Sequence, residues 1–153
     1  NLPKSVREHV RERREARSSA LKKMHRLYLG KIPSGSPRLD MQFIPQFTRS
    51  VYKATRKVPR GFVTTYGRIA KHVGNRLAQR AVGNAMRNNP FPLFVPCHRV
   101  VPSSLKVGRY SLRQGRDSSP AVKRALLVRE GVEFDGDRVS RKSVRNLKTR
   151  GKS

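Results

Sequence analysis

One cysteine, Cys97, is the whole thiol content of this 153-residue sequence. A disulfide within the chain is therefore excluded, and so is a structural zinc site built on several thiolates. There is no tryptophan, and the hydrophobic share of 35% is low for a wholly globular chain. Part of the length is expected to lie outside the core. No run approaches the roughly 18 apolar residues that a membrane span needs. No basic-then-apolar opening segment marks a secretory signal. Carboxylates are scarce: 9 Asp and Glu stand against 36 Lys and Arg, for a net charge of +27.

What is present is positive charge, and its distribution matters more than its total. Residues 41–116 hold 15 basic residues and no carboxylate, and residues 138–153 hold 7 and again none. A solubilising surface usually mixes both signs. A field of one sign attracts a polyanion and releases its counterions on binding. Nucleic acid is the partner this indicates. An acidic membrane surface is the lesser alternative, because no strongly amphipathic basic helix with aromatic anchors stands out.

Along the chain, residues 1–46 read as a basic N-terminal arm. Val6, Val10, Leu21, Met24 and Tyr28 recur near helical spacing, and Gly30, Pro33, Gly35 and Pro37 then break the pattern. Phe47, Val51, Ala54 and Val58 predict a helix over about 48–58, ended by Pro59. Thr64 or Thr65 can cap a second helix, with Ile69, Ala70 and Val73 inward and Gly74 at its end. Residues 77–88 read as a third, with Leu77, Ala81, Val82 and Ala85 inward and Gln79, Arg80, Asn84 and Arg87 mostly outward. Asn88-Asn89-Pro90 stops it. Two short helices joined by a tight turn, the second displaying Arg and Asn, match a helix-turn-helix. Pro90–Pro102 is too apolar for a surface loop and is expected to thread the core. Residues 119–130 predict another helix, with Ala121, Ala125, Leu126 and Val128 as its apolar positions, closed by Gly131. A small hairpin or wing surrounds Asp135-Gly136-Asp137. The tail, 141–153, reads as basic and disordered.

Cys97 stands directly before His98 in this apolar, proline-braced segment. A thiol becomes a nucleophile when a base or nearby positive charge takes its proton. A histidine base works better when a carboxylate orients it. With so few carboxylates, Glu130 at the end of an apolar helix is the best-placed candidate. On residue chemistry alone, inert packing by Cys97 and a surface role for Glu130 stay equally open.

The ordered motifs go further. Pro96-Cys97-His98-Arg99-Val100 resembles the active-site motif of the O6-alkylguanine-DNA alkyltransferases. Tyr66-Gly67-Arg68-Ile69-Ala70, Arg80 to Arg87, Asn88-Asn89-Pro90, Val107 to Ser111, Lys123, Leu126-Leu127 and Glu130-Gly131 follow in that family's order. The resemblance covers about residues 47–134.

It implies a mainly α fold with a short β-hairpin: a winged-helix-like, helix-turn-helix DNA-binding domain over 47–140. It also implies stoichiometric transfer of an alkyl group from O6-alkylguanine in double-stranded DNA to Cys97, with no cofactor and no metal. Cys97, His98 and Glu130 form the family's water-linked relay, and Tyr66 helps rotate the 3′ phosphate and protonates the leaving guanine. Arg80 fills the gap left by the flipped base. Ala81 and Gly83 allow close approach to the minor groove, and Arg87 and Arg99 complete the DNA-binding set. Tyr110, Ser111, Asn89, Lys123 and Val100 are assigned to the substrate pocket, Asn89 as the residue that holds the helix-turn-helix against the active-site segment. A monomer is expected, located where DNA is: the nucleus in a eukaryote, otherwise the cytoplasm.

The resemblance also has gaps. The family's N-terminal α/β domain is expected to be absent or replaced, because the residues before Phe47 read as helical and basic. His9, His25 and His72 read as ordinary surface or packing residues. The segment after Ser111 is longer than in relatives, with Leu112 where glycine is frequent. The rival readings are a non-catalytic damage binder, which in the alkyltransferase-like proteins generally lacks the cysteine, and a basic architectural protein.

Overall fold

Helix α1, Gln46–Thr55, starts directly after Pro45 and buries Val51, Tyr52, Ala54 and Thr55. The computed structural model describes residues 39–108, 110–112, 116–118 and 120–147; the strands within 110–118 are described as backbone. The helix predicted for the N-terminal arm falls on residues 1–38, outside those described. The packed part of the chain takes in Leu39, Met41 and Ile44, which lie against the core ahead of Phe47. Helix α1 stops short of Pro59. Its chain tightens into turns in which the Lys57 N–H bonds Ala54 O and the Val58 N–H bonds Thr55 O, each at 3.1 Å. Pro59 has no N–H for Thr55 O, four residues back, and its ring would clash with that carbonyl, which fits a helix that ends there.

Strand β1, Thr64–Thr65, pairs in parallel with β2, Val100–Val101, in the register Thr64↔Val100 and Thr65↔Val101. Helix α2, Tyr66–His72, follows β1 without a gap, capped by the Thr65 hydroxyl, which accepts the Arg68 N–H at 3.3 Å. Gly74 closes it at φ +89°, a conformation that glycine adopts without strain. Helix α3 spans Gln79–Arg87 and buries Val82, Ala85 and Met86. Leu77 and Ala81, expected on its inner face, are instead exposed, Leu77 at 94%. The Asn75 side chain accepts the Leu77 N–H at 3.2 Å, and this turn delays the helix until Gln79, so the inward phase begins after Leu77. The Tyr52 hydroxyl donates to Ala85 O at 2.9 Å and ties α3 to α1.

Strands β3, Tyr110–Leu112, and β4, Arg116–Ser118, pair antiparallel where the sequence suggested only a long loop. Helix α4, Pro120–Arg129, buries Lys123, Leu126 and Leu127. Its phase differs from expectation: Ala121 and Ala125 are exposed, and Val128 is 55% exposed. The wing forms from β5, Phe134–Asp135, and β6, Arg138–Val139. Its turn opens on Gly136 at φ +64°, the glycine position of a II′ hairpin. Arg124 braces it, donating to Gly136 O at 3.0 Å and lying 4.0 Å over the Phe134 ring.

Residues 141–147, expected to be disordered, are built into the fold. Arg141–Ser143 forms a 3-10 turn, and Val144 bridges Val63 in parallel. One apolar cluster joins α1, α2, α3 and the Val95–Val100 segment, and a second gathers Val63, Val101, Leu127, Val132 and Val139. Complete burial of Ile69 alone contributes about 1.5–3 kcal/mol. Among the described residues no helix is long and apolar enough to cross a membrane.

Candidate active site

The parallel β1–β2 pair decides what lies beside the cysteine. Tyr66 follows β1, and the 3-10 turn Cys97–Arg99 precedes β2, so one pairing brings the start of α2 to the cysteine segment. Cys97 is 5% exposed. Its N–H bonds Val95 O at 2.7 Å, and Val95 O also accepts Asn89 Nδ2 at 2.9 Å. Asn89 Oδ1 accepts the Phe91 N–H at 2.9 Å. The end of α3 is thereby fixed to the residues before Cys97. Asn89 is 3% exposed and makes the brace that the family resemblance implies for it.

His98 is 1% exposed, with Nε2 2.9 Å from Glu130 Oε1. Arg99 grips the same carboxylate through Nε to Oε2 at 2.7 Å and Nη2 to Oε1 at 2.8 Å, while Nη1 donates to Val58 O at 2.8 Å. Burial would raise the Glu130 pKa, but hydrogen bonds and charge from His98 and Arg99 outweigh it and hold the carboxyl at about 2. An ionised carboxylate only accepts, so the His98 proton sits on Nε2. Burial, aided by the charges of Arg99 and Lys123, pushes His98 below its usual range against the pull of Glu130. At neutral pH the ring is uncharged and Nδ1 carries the basic lone pair.

The structure changes the role expected of Arg99. Three of its five N–H donors are committed to Glu130 and Val58 and the side chain is 14% exposed, so little of the guanidinium is left to reach a phosphate. Val100 has no exposed side-chain surface and contributes a carbonyl, which accepts Lys123 Nζ at 2.6 Å. Lys123 itself is 2% exposed. Burial brings its pKa down to about 8, against the opposing pull of a charge on Cys97. Tyr66 is half-buried. Burial, then charge at Cys97, raises its hydroxyl pKa against the effect of Arg87, so it stays protonated at neutral pH.

On α3, Arg80, Ala81 and Arg87 are exposed, and a Cβ placed on Gly83 would meet nothing within 4 Å. Tyr110 and Ser111 belong to β3, which touches α3 and α4, but their side chains lie outside the described residues. Sequence reasoning missed the carbonyls of Val58, Val95 and Val100, since a backbone acceptor leaves no compositional trace. The Arg99–Glu130 grip did have a signal: a chain so poor in carboxylates rarely buries one without a cation.

Residues 46–132, more than half of the chain, match the family described as 6-O-methylguanine DNA methyltransferase, DNA binding domain. A methylated-DNA–protein-cysteine methyltransferase of Thermococcus sibiricus is 38% identical over 125 residues, covering 80% of this chain and 65% of its own. The Homo sapiens protein of the same name is 49% identical over 86 residues, covering 56% of this chain and 39% of its own. This chain thus spans less than two thirds of either relative. Mycobacterium tuberculosis OGT, solved in complex with DNA, superposes with a TM-score of 0.60 at 34% identity, covering 74% of this chain and 66% of that one.

Proposed function

Since this chain belongs to the 6-O-methylguanine DNA methyltransferase family through its DNA-binding domain, we propose that it repairs duplex DNA by taking the alkyl group of O6-alkylguanine onto Cys97. The observation that carries the reading is the buried Cys97–His98–Glu130 sequence of groups, with a protonated Tyr66 within electrostatic range of the same sulfur. A lone buried cysteine needs none of these neighbours.

The reaction balances without a cofactor. The Cys97 proton passes to His98 Nδ1 through the water link that the family relay implies, Glu130 and Arg99 hold the ring for it, and that proton later restores the Tyr66 hydroxyl through solvent. Sulfur attacks the alkyl carbon, the S–C bond forms and the C–O6 bond breaks. The electron pair goes to guanine, which takes its proton from Tyr66. The thioether has no release route, so each molecule repairs one base. The target carbon lies inside the duplex, so the base must be flipped out. Exposed Arg80 suits the vacated stack, and small Ala81 and Gly83 suit a close minor-groove approach. Partner and pocket follow from the same reading: double-stranded DNA, with Tyr110 and Ser111 at the pocket wall. The protein works as a monomer wherever DNA is kept, the nucleus in a eukaryotic cell.

The test is intact mass after incubation with a duplex bearing one O6-methylguanine. A gain of one methyl in place of the thiol hydrogen, mapped to Cys97 and absent in Cys97→Ser, is expected. Tight, damage-selective binding with no gain in mass would sink the transfer reading and leave a damage sensor.

A further inference from the structure

The segment Arg141–Leu147 lies beyond the residues that match the family, yet it is packed against the DNA-binding domain. The Val63 N–H bonds Ser143 O and the Arg145 N–H bonds Val63 O, both at 2.8 Å. Ser143 Oγ accepts the Glu133 N–H at 2.9 Å, and Leu147 rests on the main core. This docking brings Arg145 to the start of α2. Its guanidinium stacks 4.0 Å from the Phe62 ring centre, and its carbonyl accepts Arg68 Nη1 at 3.4 Å. The start of α2 in turn abuts the start of α3: a Cβ on Gly67 would lie 3.4 Å from Gln79 Nε2, one residue before Arg80. A basic strip therefore runs from the C-terminal segment across Arg68 to the exposed arginine of α3.

Glu133, whose backbone bonds Ser140 and Ser143, is the nearby carboxylate residue, and among the described residues it forms no ion pair with the strip. Arg141, Lys142 and Arg145 are exposed, and among the described residues none is paired with a carboxylate. The wing's Asp137 is occupied by Lys106 at 3.0 Å and Arg138 at 3.9 Å. Like charges held side by side by backbone bonds repel one another, and the repulsion is relieved by a polyanion laid across them. Such cations fix position on a duplex without reading its sequence.

We propose that Arg141, Lys142 and Arg145, together with Arg68, form a second DNA-contacting element that takes backbone phosphates flanking the place where α3 enters the groove. The proposal rests on α3 facing the duplex. It adds an anchor outside the helix-turn-helix, built by the segment that follows the wing.

Salt-dependent binding of the full chain to an undamaged duplex tests it. Each phosphate contact contributes about 0.9 to the slope of log affinity against log salt. The Arg141→Gln/Lys142→Gln/Arg145→Gln variant should lose roughly two to three in slope, with affinity falling alike for damaged and undamaged duplex. Its melting temperature should drop by no more than the loss of the Arg145–Phe62 stack accounts for, a few degrees, and Arg145→Lys should keep the full slope. An unchanged slope in the triple variant overturns the proposal, as does an affinity loss with no change in slope. If Gly83→Leu weakens duplex binding while the triple variant does not, only the second anchor fails. If neither affects binding, the duplex-facing reading of α3 fails with it.

Discussion

The carboxyl of Glu130 sets the acid limit of the molecule. It titrates at about 2 in the fold against an ordinary 4.5. Between those values the unfolded chain holds a proton that the folded chain refuses. The stabilisation is whole above 4.5 and is lost as pH falls toward 2, on the order of 3 kcal/mol in all. His98 acts with the same sign at higher pH. Held below 6.5 by burial, it stays neutral while the unfolded ring charges, so stability declines from 6.5 downward. Lys123, at about 8 against 10.5, releases its proton in the fold first, so its contribution grows as pH rises through that interval. Melting temperature followed against pH should therefore fall in two stages below neutrality. Glu130→Gln should flatten the lower stage, and a lower stage that survives the substitution would assign it to other carboxylates. Arg99→Lys keeps the charge but cannot reproduce two bonds to Glu130 and one to Val58. It should cost about 1–3 kcal/mol and move the lower stage to higher pH as the Glu130 pKa climbs back.

Among the elements, α3 carries the sharpest test, because stability and binding should respond in opposite directions. Glycine inside a helix costs roughly 0.8–1 kcal/mol relative to alanine, and the space outside Gly83 is open. Gly83→Leu should therefore melt at or above the parent temperature while binding duplex less tightly. Equal binding by the variant would remove α3 from the DNA face. Asn89→Ala tests the brace at the other end of the helix. It strands the Phe91 N–H and removes one of the two bonds to Val95 O, which keeps the Cys97 N–H; this should cost about 1–3 kcal/mol and slow the mass gain at Cys97. These helices were legible because their signals are local: the Thr65 cap, the stop at Gly74, and the inward spacing of Val82 and Ala85. Leu77 was misread because one asparagine side chain shifts the helix start, a change of phase that composition does not register. The β1–β2 pair of two residues each was invisible for another reason, since its stability comes from a partner 36 positions away in the register Thr64↔Val100. Cys97, His98 and Glu130 could be nominated from scarcity. Their geometry could not, because Arg99, as suited by composition to a phosphate as any other arginine, turns inward only once the fold supplies Val58 O.

Over the whole molecule, charge and damage recognition are separable. The +27 net charge lies on a chain whose nine carboxylates fall before residue 41 or after residue 116. Of those in the described residues, Glu130 is gripped by Arg99 and Asp137 is paired with Lys106, while Asp40, Glu133 and Asp135 are exposed, so the few carboxylates left are far outnumbered by cations and little negative charge opposes a duplex. Affinity for any duplex should then be dominated by counterion release. With 6–10 phosphate contacts it should fall by roughly 10³–10⁵ between 50 and 200 mM salt. The groups that would distinguish an alkylated guanine behave differently. Cys97 and His98 are buried at 5% and 1% exposure, where mobile ions screen little. The ratio of affinities for damaged and undamaged duplex should accordingly hold steady across the salt range while both affinities collapse. Anisotropy titrations with Cys97→Ser, which cannot be consumed, would measure that ratio directly. A ratio that shrank in parallel with affinity would mean that the damage is sensed through the phosphates, by bending or backbone distortion, and not through the cysteine pocket.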